Sequence, residues 1–494
     1  MRNIGDILND IEVLELTSAT GDLSGEITDI ESDSRKVIPG GAFIAISGFD
    51  CDGHTFIEKA IDGGARVIIY EKAEYKELIL SKNVTGVRIA NTREATPILA
   101  RNFFDNPSEK LNLVGVTGTN GKTTIATLLY RLFTNMGYCC GLLSTIANFI
   151  DKERFETTNT TSDPITINRL LRKLVDKGGE YCFMEVSSHS LHQGRVAGLH
   201  FKGGIFTNLT HDHLDYHKTF AEYIKCKKIL FDNLPKGSFA ITNYDDRNGE
   251  VMLQNTKAEK YRYSVGSMAD FRIKIIESSI EGSLIEINGT QVWTKFIGKH
   301  NAYNIGAVYG TAVLLGADKE EVLVGLSALD AVAGRLEYIK GGNDITAVID
   351  YAHTPDALEN VLKTLKEISC GNQVIALFGC GGNRDKTKRS EMGAVCAKYA
   401  DRLVVTSDNP RFENPYDIIE DIKKGLDNSA MAKSIFICDR AEAIRTAIMT
   451  APKGAIVLLA GKGHEDYQII NGVKSHFDDK EEAIKVLNQL NQLR

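Results

Sequence analysis

Leu111-Asn-Leu-Val-Gly-Val116, continued by Thr117-Gly-Thr-Asn-Gly-Lys-Thr-Thr124, is the stretch on which the reading of this chain turns. Its first six residues form a short β-rich run. A glycine-containing loop follows, then an amphipathic pattern from about Thr123 to Met136 that Gly137 ends. Strand, glycine loop and helix in that order open a βαβ unit. Gly118 and Gly121 let the backbone curl so that several N–H groups point inward. Those amides and the helix N-terminus together favour a phosphate. Lys122 would reach the terminal phosphates, and Thr123 would offer its hydroxyl to magnesium. The strict phosphate-loop pattern wants Gly or Ala five residues before Gly121, where Val116 stands. The bland alternative is a glycine-rich turn before an ordinary helix, and the order strand, Gly-Lys-Thr-Thr, helix weighs against it. Such a loop implies a nucleoside triphosphate and leaves open what it is for.

Outward from the loop, the strand candidates Tyr181–Met184, Gly204–Thr207 and Phe239–Thr242 alternate with helices, which is a parallel-sheet α/β pattern. A second doubly wound unit starts near residue 336, with strands at Ala347–Asp350, Val374–Phe378, Arg402–Thr406 and Ala455–Leu459. Ligands of such sheets bind beyond the carboxyl ends of the strands. Residues 1 to about 108 mix short apolar runs with turns, and Ala65–Tyr70 reads as a buried strand. Asn106-Pro107-Ser108 reads as a linker. The expectation is three α/β domains: 1–108, a central phosphate-loop domain over 109–335 with a parallel sheet, and a Rossmann-like domain over 336–494. A length of 494 residues suits three domains.

Composition narrows the class. Hydrophobic residues are 43% and charged residues 25%, the balance of a globular protein in water. A net charge of -7 argues against non-specific nucleic-acid binding, so no nucleic-acid partner is expected. The nine cysteines are scattered, with no CxxC pair, which points to a reducing, cytoplasmic setting without disulfides or a zinc site. No signal peptide and no membrane span are expected.

Further segments, in order, carry a resemblance. They are Asp33-Ser-Arg35, Asn159-Thr-Thr161, Glu185-Val-Ser-Ser-His189, Asp212-His-Leu-Asp-Tyr-His217, Gly298-Lys-His-Asn-Ala-Tyr-Asn304 and Gly334-Arg-Leu-Glu337. Beyond them stand Asp350-Tyr-Ala-His-Thr-Pro355, Gly379-Cys-Gly-Gly-Asn-Arg-Asp385, Asp408-Asn-Pro-Arg411 and Gly461-Lys-Gly-His-Glu465. With the variant loop Gly-Thr-Asn-Gly-Lys-Thr-Thr, the set resembles the Mur ligase superfamily over about residues 30 to 480. Within it, the segments are most similar to members that make the UDP-N-acetylmuramoyl tripeptide of peptidoglycan.

That resemblance implies an ATP- and Mg2+-dependent amide ligase. ATP would phosphorylate the D-Glu carboxylate of UDP-MurNAc-L-Ala-D-Glu, and the amine of meso-diaminopimelate would attack the acyl phosphate. Gly118, Thr119, Asn120, Gly121, Lys122, Thr123 and Thr124, with Asn301, Arg335 and Asp350, would hold ATP. Lys122, Glu185, His213 and Lys227 would be catalytic. Thr123, Glu185, His213 and a carbamylated Lys227 (N6-carboxylysine) would bind the metal. Ser32, Ser34 and the Gly48–Asp50 turn would meet uridine in a small N-terminal α/β UDP-binding domain. Asn159, Thr160, Thr161, Ser187, Gln193 and Arg195 would meet the muramoyl dipeptide. Ala333 stands where the family usually has Pro, which would loosen the turn before Arg335. A monomeric chain is expected.

meso-Diaminopimelate differs from lysine by one carboxylate, so selecting it needs a cation at the far end of the substrate. Arg411 of Asp408-Asn409-Pro410-Arg411 can make a forked bond to that carboxylate. The resemblance adds Arg384 for a second carboxylate, and Glu465 and Gly461 for ammonium groups. Three other readings remain: a lysine-adding ligase of the same family, a folylpolyglutamate-type ligase, and a nucleotide switch. A folylpolyglutamate-type ligase would lack the Asp-Asn-Pro-Arg segment. A GTPase switch would carry an Asn-Lys-x-Asp segment, and none is present.

Overall fold

The structure, a computed structural model, describes residues 2–18, 25–48, 51–210 and 214–492. Three sheets follow one another along the chain. The first has five strands in the order Val13–Thr17, Thr85–Ile89, Val67–Tyr70, Ala42–Ile44, Ile30–Glu31, parallel except for the first. Asn106-Pro107-Ser108, the expected linker, joins the first sheet to the central one and is packed. Pro107–Lys110 form a 3-10 turn, and the buried Ser108 hydroxyl accepts from the His200 amide at 3.0 Å.

The central sheet has eleven strands. Six form its parallel heart: Cys140–Leu143, Tyr181–Glu185, Asn112–Thr117, Gly203–Phe206, Phe239–Asn243 and Glu259–Ser264. The parallel sheet expected from the sequence is this heart, and antiparallel strands extend it at both edges. At one edge Asn148–Ile150 and Glu153–Phe155 add antiparallel strands. At the other, Phe271–Ser279 continues in parallel, then Gly282–Ile287 and Thr290–Thr294 run antiparallel. The local cause is Asn288-Gly289, both at positive φ (48° and 91°), which is the tight-turn geometry of a two-residue hairpin. Phe271 and Ile273 point inward while Arg272 and Lys274 are exposed, the period-2 pattern of a half-buried strand. Ile273 and Phe271 press on the helix Lys299–Leu314, where a Cβ on Gly306 or Gly310 would run into them.

The third sheet orders Glu337–Lys340, Thr346–Asp350, Ile456–Ala460, Val374–Phe378, Arg402–Val405, Ser434–Phe436, parallel except for the first. Alternate residues feed separate cores. Val348, Ala376, Phe378 and Leu458 join one, and Ala347, Ile349, Leu377 and Leu459 the other. Both faces are therefore covered by helices, which explains the near-continuous apolar strands. Among the described residues no helix is long and apolar enough to cross a membrane.

Candidate active site

Residues of the central and C-terminal sheets line one cavity together, and most of the expected site residues come from strand ends, the loops beyond them and nearby helices. Gly118 (φ 148°) and Gly121 (φ 89°) turn the phosphate loop through backbone space that other residues rarely enter. A Cβ at Gly118 would collide with the Thr207 hydroxyl, and one at Gly121 would sit 2.6 Å from the Asn304 amide oxygen. Lys122 folds back over the loop and donates to the carbonyls of Gly118 (2.9 Å) and Thr119 (2.8 Å). The helix Lys122–Asn135 aims its N-terminus at this loop.

Three cavities meet here. The first, of about 240 Å³, lies between the two sheets and is lined by Asn120, Gly121, Thr124, Asn301, Arg335 and Asp350 among others. Asp350 is buried and holds the backbone of the joint, accepting from the amides of Leu336 and Ala352 at 2.8 Å each. Burial pushes its carboxyl pKa up, with the Arg335 charge opposing. Arg335 reaches Thr123 Oγ1 at 3.5 Å, lies 4.7 Å from the Tyr351 ring, and keeps a buried Nε without a hydrogen-bond partner. The turn before it, which holds Ala333, is closed by backbone contacts. Arg335 N bonds Val332 O at 2.9 Å, and Gly334 is packed so closely on the Gly463-His464 backbone that no side chain would fit.

The second cavity, of about 210 Å³, gathers Lys122, Lys227, Asn159, Thr160, Thr161, Ser187 and Arg195 beside the loop. Lys227 is 1% exposed and donates to Gly118 O at 2.8 Å. Glu185, at the end of its strand and fully buried, accepts from Thr123 Oγ1 (2.9 Å) and the Thr145 amide (2.8 Å). Burial raises its pKa, opposed first by the Lys122 charge. Arg195 is braced by Gln193 Oε1 (2.6 and 2.9 Å) and by Thr161 O (2.8 Å). Hydroxyl and carboxylate are hard oxygen donors, the kind magnesium takes with few protein ligands. Among the described residues no three His, Cys, Asp or Glu side chains converge as a metal cluster.

The third cavity, of about 420 Å³, is lined by Arg384, Asp408, Asn409, Arg411, Gly461 and Glu465, all from the C-terminal sheet's loops. Arg411 has positive φ (53°) and donates to Gly382 O at 2.8 Å. Asn409 Nδ2 bonds Glu465 Oε2 at 2.8 Å. Pro410 does not line the cavity. It shapes the turn, its carbonyl accepting from the Glu413 amide at 2.9 Å. Thr160 and His189 line both the second and third cavities, so the phosphate-loop side and the Arg411 side share a wall.

Not every expected residue is brought here. Ser32 and Ser34 lie beyond the strand Ile30–Glu31 and line none of the three cavities. Gln193 touches the site through Arg195. His213, and Phe49 and Asp50 of the Gly48–Asp50 turn, lie outside the described residues. Conversely, His189, Arg389, Tyr351 and His353 line the third cavity without having been singled out. His189, Tyr351 and His353 stood inside quoted segments, so their signal was present but unread.

Three family descriptions match the chain: "Mur ligase family, catalytic domain" over residues 26–104, "Mur ligase middle domain" over 116–312, and "Mur ligase, glutamate ligase domain" over 334–463. The chain belongs to the Mur ligase family. Within it, the chain is 52% identical over 472 residues to the UDP-N-acetylmuramoyl-L-alanyl-D-glutamate--2,6-diaminopimelate ligase of Phocaeicola vulgatus, covering 95% of this chain and 97% of that one. A solved structure of a ligase with that same name superposes with a TM-score of 0.70 at 32% identity, covering 99% of each chain. The folylpolyglutamate synthase of Mycobacterium tuberculosis, solved with ADP and AMPPCP, shares the fold at 17% identity and a TM-score of 0.60, over 75% of this chain and 92% of that one.

Proposed function

We propose that this chain joins 2,6-diaminopimelate, in its meso form, to UDP-MurNAc-L-Ala-D-Glu at the expense of ATP, in the cytoplasm. The observation that carries this reading is the shared wall of Thr160 and His189 between the Lys122 cavity and the Arg411 cavity. Phosphoryl transfer to a carboxylate brings two anions together, so catalysis is mostly positioning and charge neutralisation. Lys122 and the spare Arg335 donor supply positive charge to the triphosphate. Arg195, rigidly braced, orients the dipeptide's carboxylate beside Lys122. Thr123 and Glu185, with Lys227 as a carbamate and His213, would hold magnesium, which supplies charge neutralisation on the phosphates. Asp408, Glu465 and Gly461 hold the incoming ammonium groups, while Arg384 and Arg411 take the carboxylates.

The uridine end falls to Ser32 and Ser34. Their strand is pinned to the central domain by Arg169, which bonds Glu31 at 2.8 Å and Asp29 at 3.0 Å. The test is product mass analysis with the UDP-dipeptide, ATP, magnesium and an equimolar mixture of diaminopimelate and lysine. A diaminopimelate tripeptide with ADP is expected. A lysine product would move the chain to the lysine-adding branch. ATP hydrolysis without either amide would remove the ligase reading.

A further inference from the structure

Between two glycines of Gly461-Lys-Gly463, both at positive φ (115° and 54°), the chain turns one lysine inward. Lys462 is 0% exposed. Its ammonium donates to the Tyr467 carbonyl and lies 3.5 Å from Asn409 Oδ1, 3.7 Å from Asp408 Oδ1 and 3.8 Å from Glu465 Oε2. All three of those acidic or amide partners line the 420 Å³ cavity, while Lys462 itself stands behind them. Asp408 Oδ1 is buried and has no hydrogen-bond donor, so the ammonium 3.7 Å away is its nearest assigned counter-charge.

Two carboxylates facing one cavity repel each other unless a cation sits between them. We propose that Lys462 is a positioning residue for the amino-acid substrate. Its buried ammonium holds the Asp408 and Glu465 side chains in place, so that together they receive the ammonium group of the incoming amino acid. This inference rests on the ligase reading above. Other charges face the array as well. Arg440 pairs with Asp479 at 2.6 Å, both buried, and its charge also reaches Asp408 and Glu465, while Tyr351, Tyr467 and His353 lie near Glu465 and Arg384, Asp385, Lys388, Arg389 and Arg411 line the same cavity. Burial raises the pKa of Glu465, with Asp408 adding to it and Lys462 opposing; burial lowers that of Lys462, with Asp408 opposing.

The test is steady-state kinetics of Lys462→Met and Lys462→Arg in the full-length chain, with melting temperature as the folding control. For Lys462→Met the KM for diaminopimelate is expected to rise about tenfold or more at pH 7, with the KM for ATP unchanged. Without the cation the Glu465 pKa, already raised by burial, rises further, so the deficit should shrink as pH rises. Lys462→Arg keeps the charge and should retain the wild-type pH profile even if kcat falls. An unchanged diaminopimelate KM, a pH-independent deficit, or the same alkaline recovery in Lys462→Arg would overturn the role. If Lys462→Met does not fold, the Lys462→Arg profile decides alone. Wild-type chain that makes no amide at all would instead strike the ligase reading.

Discussion

The side-chain amide of Asn120, in the phosphate loop, donates to the carboxylate of Asp356, in the C-terminal domain, across 3.2 Å. The bond ties the loop that would hold the triphosphate to the first turn of the helix Pro355–Ile368. Asp356 lines the cavity between the sheets, and burial raises its pKa. Removing it with Asp356→Ala should raise the KM for ATP about three- to tenfold, the worth of one ordinary hydrogen bond. The KM for diaminopimelate, measured in the same assay, should stay within twofold of about its wild-type value.

Gly121→Ala should be more severe. The residue would have to hold a left-handed conformation, costing about 1–2 kcal/mol, and its Cβ would sit 2.6 Å from Asn304 Oδ1. Titration with a fluorescent ATP analogue should show affinity lowered by about tenfold or more, while the fold melts within a few degrees of wild type.

Arg411→Ala should lower the preference for diaminopimelate over lysine by about 10- to 150-fold in the ratio of kcat/KM. A ratio that does not move would remove Arg411 from substrate selection.

Lys227→Ala should lower turnover by about 10- to 100-fold, and short carboxylates added to the assay should restore part of it. The lysine is buried at 1% exposure with its Nζ on the phosphate-loop carbonyl of Gly118, so a carbamate there would stand beside the phosphates. Full activity in the variant would dismiss the carbamate.

Acid should destabilise the joint between the two sheets. Burial, and then the charge of Arg335, pull His300 and His464 down to about 4. An unfolded histidine titrates near 6.5. The unfolded chain therefore binds more protons between about pH 6.5 and 4, and stability falls as pH drops through that window. Melting temperature measured from pH 7 to pH 5 should decline, and His464→Gln should flatten the slope.

Much of this was legible in the chain. Gly118 and Gly121 declared the loop because only glycine tolerates their backbone angles, and Glu185 and Asp350 stood at strand ends where ligands gather. The antiparallel edge lies past residue 242, beyond the alternation of strands and helices that marks the parallel sheet, and Asn288-Gly289 is its local signal. The packed state of Ser108 could not be read, since its partner, the His200 amide, is 92 residues away. Lys462 escaped for the opposite reason. Its neighbours in sequence marked the segment, but its importance lies in acids brought in from another loop.

Among the described residues, every side chain that lines the 420 Å³ chamber apart from Thr160 and His189 comes from residues 351–465. The half of the molecule that would choose the monomer is thus one contiguous stretch of chain, and the half that would activate the acid is another. A lineage could trade the building block of its wall by rewriting that single stretch, leaving the energy-transfer machinery as inherited. A molecule straddling the two-residue seam would jam both halves together.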